Sequence, residues 1–220
     1  YLFADTFGKL INLIPESLGL LDKSNLLLSK HTSVFIFFVL SALYFKKIIY
    51  LITRDKIFSN LATVFYLVYP YLIGHSFFNF KDIPFMSIWL ICTYSFIRVL
   101  QIYQKKKEIK NIRLLLLSFF TAYLFSIRVS GILIFLEYLI FSIIFLKIFN
   151  YNIIRLIKEI YVKKLFFLLT FLFFIYLLYP SFWSNPYKFI YAIDFMSQHI
   201  QSVCTVTLRE CMKAQNLPST

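Results

Sequence analysis

Hydrophobic residues in this chain come in long unbroken runs instead of the one-sided stripes of solvent-facing helices. The runs cover residues 33–52, 57–74, 84–103, 113–129, 131–148 and 164–182, and clusters of charge bound them. Each holds about 17–20 residues, enough at about 1.5 Å per residue to cross roughly 30 Å of hydrocarbon. The pattern predicts an all-α fold, a polytopic transmembrane helix bundle of about six spans within residues 33–182. The short turn RVSG separates the fourth run from the fifth. Residues 1–32 read as an outer interfacial segment. The chain turns polar over 183–220, which reads as an outer loop and tail that stops before a further span. A first residue Tyr1 and a last stretch QNLPST suggest an internal piece of a longer protein.

Composition excludes a soluble exterior. The 220 residues are 60% hydrophobic and 21% aromatic, and 15% charged residues cannot cover that much apolar surface. Charge then orients the runs. Lys46, Lys47, Arg54 and Lys56 follow the first run, Lys105, Lys106, Lys107, Lys110 and Arg113 the third, and Lys147, Arg155, Lys158, Lys163 and Lys164 the fifth. These alternate turns hold more than half of the 23 basic residues and face the cytoplasm by the positive-inside rule. The net charge of +13 is mainly this topology signal, with some attraction to anionic membrane lipid. Basic residues that flank spans without forming one patch argue against a nucleic-acid partner. By parity, residues 1–32, 75–83, 128–131 and the tail share the outer side. The high Phe, Ile and Lys content and short loops suggest a multi-pass protein of a bacterial inner (plasma) membrane.

Chemistry is sought on that outer side. HSFFNFKDIPF, residues 75–85, gathers His75, Ser76, Asn79, Lys81 and Asp82 between two apolar runs. Asp82 precedes Pro84 and the third span, where an aspartate caps a free backbone N–H. Capping uses one polar side chain, and the loop offers several more, which suits an acid–base or phosphate site at the membrane surface. Arg128, in SIRVSG, has two readings: snorkelling to the interface, or a guanidinium that binds a lipid phosphate through two parallel hydrogen bonds. Asp5 and Lys9 lie in a segment whose Leu10, Ile11, Leu13 and Ile14 suit a short interfacial helix ended or kinked by Pro15. Glu137, about two turns into the fifth run, must face the bundle interior or a partner, with Arg98 one candidate. Cys92 reads as a small apolar filler. Cys204 and Cys211 can pair if the compartment is oxidising. There is no CxxC or HxxxH for zinc, no Walker A or Rossmann glycine pattern, and no GxSxG nucleophile.

In these elements the chain resembles the GT-C membrane glycosyltransferases related to protein O-mannosyltransferases and aminoarabinose transferases. HSFFNFKDIPF is similar to their outer-loop motif: a short polar run, an Asp, then a small or Pro-containing start to the next span. ADTFGK resembles the acidic stretch of their first outer loop, and SIRVSG the turn where they place a basic residue before a Gly. The three elements occur in the family's order. The resemblance implies transfer of a sugar from a polyprenyl-phosphate carrier to a protein, lipid or glycan acceptor on the outer side, with inversion. It implies Asp5 as the catalytic base toward the acceptor hydroxyl and Asp82 as a second catalytic carboxylate that orients the acceptor or the base. Arg128, with Lys81, would hold the leaving phosphate. His75 and Asn79 are read as substrate-binding residues of the same loop. The family usually has an acidic pair where this chain has Asp5-Thr6, so a base upstream of Tyr1 stays open. No cofactor is assigned, and a divalent metal stays open. The alternatives are a non-catalytic transporter or channel, with ionisable groups near the bilayer midplane, and a structural subunit without a site.

Overall fold

A computed structural model describes residues 23–106, 109–149, 153–179, 183, 187, 204–207 and 210–213. Contacts divide the chain into two units, Tyr1–Leu178 and Tyr179–Thr220. The described part of the first unit is all-helical. It runs α1 (Lys23–Thr53), α2 (Lys56–Val68), α3 (Pro70–Ser76), α4 (Asp82–Lys106), α5 (Asn111–Ile127), a 3-10 turn (Val129–Leu133), α6 (Ile134–Ile148) and α7 (Ile153–Leu178).

Among the described residues, four segments are long and apolar enough to cross a membrane: Lys30–Thr53, Asp82–Lys105, Val129–Ile148 and Tyr161–Leu178. The pair α2 and α3 makes a fifth if it is taken as one span, but it bends by 60°. Every expected run therefore contains a helix, while the full-length apolar helices among the described residues number four or five, and α5 is shorter at 17 residues. The break between α2 and α3 has a local cause. Pro70 has no N–H to donate, its ring clashes with the preceding turn, and it forces Tyr69 out of the helical region. Tyr69 accordingly sits at φ −60°, ψ 116°, and Pro70 starts the new helix, where the missing donor costs nothing. The α1–α2 turn is equally local. Arg54 takes a left-handed φ of 60°, and Asp55 caps α2 by accepting the N–H groups of Ile57 at 2.8 Å and Phe58 at 3.2 Å.

α4 is the central helix, packed on α1, α5 and α6. α1 also packs on α2, and α5 on α7. In α4's apolar window 44% of residues are buried, against 6% in α7's, whose Leu169 and Phe173 face outward. The main core joins Ile88, Ile91 and Val99 of α4 to Leu117 and Leu124 of α5 and Ile134 and Phe145 of α6. A second cluster joins Val34 and Phe38 of α1 to Ile83. Buried Ser41, Ala42, Ser118 and Ala122 are small enough to let helix backbones approach, as expected where lipid removes the hydrophobic drive between helices. The serine hydroxyls among them are hydrogen-bonded, Ser118 donating to Leu115 O at 2.9 Å. Ser87 and Thr121 donate to carbonyls one turn back, and Ser41 both donates to Phe38 O and meets the Tyr66 hydroxyl at 2.7 Å.

Side-chain contacts preserve the alternation of ends that charge predicts. His31 of α1, the loop 77–81, Asp82 and Arg128 share one end. Asn111 and Lys163, hydrogen-bonded at 2.6 Å, share the other. In the second unit, Cys204–Thr207 (β1) and Glu210–Lys213 (β2) form an antiparallel hairpin, a local departure from helix carried by the β-branched Thr205, Val206 and Thr207. Its register sets Cys204 opposite Lys213 and Cys211 opposite Val206. The two cysteines are thus diagonal across the hairpin.

Candidate functional site at the Asp82 end of the bundle

The loop from α3 to α4 is organised by Asn79. Its Oδ1 accepts the N–H of Asp82 at 2.8 Å and of Lys81 at 3.2 Å, so Asn79 caps the start of α4. This corrects the capping reading of Asp82: a residue three positions earlier reaches the free N–H groups first, and the Asp82 carboxylate is released for other partners. Two accepted bonds fix the orientation of the Asn79 amide. Its Nδ2 then donates to Asp82 Oδ2 at 3.0 Å and to His75 Nδ1 at 3.2 Å. His75 Nδ1 is the acceptor in this contact, since an amide nitrogen only donates. The His75 ring lies between Tyr71 and Phe78, at 4.3 and 5.1 Å between centroids.

The other oxygen, Asp82 Oδ1, accepts from Arg128 Nη1 in an ion pair whose two side chains are 55% and 52% exposed respectively. Arg128 reaches it because α5 stops one residue earlier. Arg128 is extended, at φ −149° and ψ 135°, between the end of α5 and the 3-10 turn. Its guanidinium also lies 6.0 Å from the Phe85 ring centroid, one turn into α4. Gly131 anchors the turn from below, donating its N–H to Arg128 O at 2.9 Å.

Four of the sequence-derived candidates, His75, Asn79, Asp82 and Arg128, therefore form one connected network from two chain segments. Lys81 is exposed beside it and contributes its backbone N–H to Asn79. Asp5 and Lys9 lie outside the described residues, as does most of the tail. The structure adds His31, absent from the sequence argument. Its Nδ1 donates to Phe77 O, and its ring lies 5.0 Å from that of Phe80. The signal was present, since His31 stands two residues before the first apolar run, at its outer end.

Glu137 does not pair with Arg98. Trp89 Nε1–H donates to Glu137 Oε2 and the Thr93 hydroxyl to Oε1 at 2.6 Å, which ties α6 to α4, while Arg98 donates to Gln101 at 3.1 Å. Trp89 and Thr93 are two and three turns along α4 from Asp82, roughly 10–16 Å deeper in the bundle. Cys92 is fully buried in the core, as an apolar filler would be.

Chemically, the network offers a carboxylate with both oxygens engaged, an imidazole, and a guanidinium with one of its five N–H donors assigned to Asp82. Such an arrangement holds a cation in place and leaves it donors for an anion. Among the described residues, no group of three or more His, Cys, Asp or Glu side chains is placed to hold a metal ion. No protein-family model matches the sequence, and no curated protein or solved structure matches it.

Proposed function

We propose that this chain belongs to a membrane glycosyltransferase that moves a sugar from a polyprenyl-phosphate donor to an acceptor at the outer face of a bacterial inner membrane, within a bundle of six spans. One observation carries the reading. The half-exposed Asp82–Arg128 pair stands at the end of the bundle away from the basic turns, where a lipid-linked phosphate would present itself. Arg128 would bind the leaving phosphate, and Asp82, pinned by Asn79, would aim the guanidinium. A preorganised donor of this kind acts at the moment negative charge develops on the departing phosphate. Asp5 remains the proposed base, and Lys81 a second cation for the phosphate.

The test uses the full-length protein in vesicles charged with a radiolabelled polyprenyl-phosphate sugar. Asp82→Asn and Arg128→Gln should each lower transfer about 100-fold or more while the protein remains folded. Arg128→Lys should keep part of the activity, as a point charge without the planar fork. Folded variants that transfer like wild type would remove Asp82 and Arg128 from the mechanism.

A transporter is the second reading, and two observations favour it: the 60° break between α2 and α3, and Glu137 held inside the bundle by Trp89 and Thr93. Transporters place ionisable groups and broken helices at the substrate site. A wild-type protein that consumes no lipid-linked sugar, together with a solute flux abolished by Glu137→Gln, would select this reading.

A further inference from the structure

The opposite, basic end of the bundle holds a second feature. A cavity of about 510 Å3 opens between the later half of α4, the first half of α5, most of the length of α6, and α7. Its walls are aliphatic and aromatic, among them Phe96, Leu117, Leu139, Phe145 and Phe167. It follows α6 from Phe135 to Leu146, about 16 Å at 1.5 Å per residue. Lys163 and Lys164 line its basic end. Lys163 is half-buried and gives one N–H to Asn111 Oδ1 at 2.6 Å, while Lys164 is exposed. An ammonium has three donors, so this bond leaves Lys163 further donors.

We infer that this cavity binds one acyl chain of an anionic phospholipid from the leaflet at the basic end, with the headgroup phosphate against Lys163 and Lys164. The volume lies within the roughly 300–1,000 Å3 of small-molecule sites. Water gains little there, because apolar walls offer it few hydrogen-bond partners. A hydrocarbon chain fills the same space without that cost and restores the dispersion contacts that a void forfeits. The charge at one end of the groove decides the headgroup. A zwitterionic lipid would fill the apolar part equally well, but two adjacent cations favour net negative charge, as basic pockets between membrane helices generally do. This site is separate from the Asp82 network and does not depend on sugar transfer.

The experiment uses the full chain in phosphatidylcholine nanodiscs carrying a trace of phosphatidylglycerol with a photoactivatable acyl chain, and maps the labelled peptides by mass spectrometry. Label should concentrate on α6 and α7 peptides that line the cavity. Unlabelled phosphatidylglycerol should displace it better than phosphatidylcholine. Lys163→Gln and Lys164→Gln should each weaken retention about fivefold, and arginine at both positions should preserve it. Ser142→Trp, which places an indole in the cavity, should abolish labelling there and leave labelling of outward faces unchanged. Even labelling of the outward faces of α2 and α7, or equal competition by phosphatidylcholine, would mean ordinary solvating lipid and would overturn the assignment. So would unchanged retention in the glutamine variants, or an unlabelled cavity in wild type, which would indicate that a protein segment fills it.

Discussion

Gly131→Ala joins the packing of the bundle to the geometry of the Asp82 end. A Cβ at Gly131 would lie 2.9 Å from Leu124 O, 3.0 Å from Leu124 C and 3.1 Å from Leu124 Cγ. Two of these atoms are backbone, and Leu124 is fully buried, so no side-chain rotation can relieve the contact. Leu124 O also accepts the Arg128 N–H at 3.3 Å, and Arg128 O accepts the Gly131 N–H. Relief must therefore move the last turn of α5 or the 3-10 turn, and either movement shifts Arg128. Forcing a methyl into packed space costs about 1–3 kcal/mol. Replacing Gly by Ala restricts the unfolded chain and returns about 0.4–1 kcal/mol. Loss of the exposed Arg128–Asp82 pair adds at most about 1 kcal/mol. Overpacking outweighs the entropic gain, and a net loss of about 1–2 kcal/mol is expected. The internal control is Gly74→Ala in α3, where a Cβ meets nothing within 4 Å. That change should stabilise by roughly 0.5–1 kcal/mol. Both are measured by reversible unfolding in mixed micelles of increasing dodecyl sulfate fraction. Combining Gly131→Ala with Arg128→Ala then shows whether the two losses are sub-additive, as expected for neighbours. The reasoning fails if Gly131→Ala is as stable as wild type, or if Gly74→Ala loses as much as Gly131→Ala.

Asn79→Ala should cost about 1 kcal/mol by uncapping α4. Asn79→Asp should keep the cap but replace the amide donor to Asp82 with a second carboxylate. Micellar unfolding separates these outcomes, since a loss equal in both would mean the cap is irrelevant. Glu137→Leu should cost about 1–2 kcal/mol, because the Trp89 N–H and the Thr93 hydroxyl lose their acceptor between helices. In a Trp183→Phe background the emission of Trp89 should change with it, and unchanged emission and stability together would refute the α4–α6 tie. Asp82→Ala and Arg128→Ala should show a coupling of no more than about 1 kcal/mol in a double-mutant cycle. A larger coupling would mean the pair is a structural clamp rather than an exposed, available site.

The order and type of the helices were legible because they depend on local quantities. Run length sets whether a helix can cross hydrocarbon, and Pro70 and Asp55 act on backbone within a few residues of themselves. Charge alternation likewise predicted which turns share an end, and His31, Asp82 and Arg128 do meet at one end. The 60° bend inside the second run was readable in principle from Pro70, but hydropathy averages over it. Partner choice was not local at all. That Asn79 caps α4, that Asp82 turns to a residue 46 positions away, and that Glu137 takes Trp89 and Thr93 in place of Arg98 depend on how α4, α5 and α6 are rotated about their axes. The rotation is decided by close packing of small and large side chains across several helices. The sequence alone thus determined a basic-ended set of apolar helices with polar residues at the other end. Only the tertiary structure decided which polar groups touch, because a contact between distant residues is fixed by the packing between them.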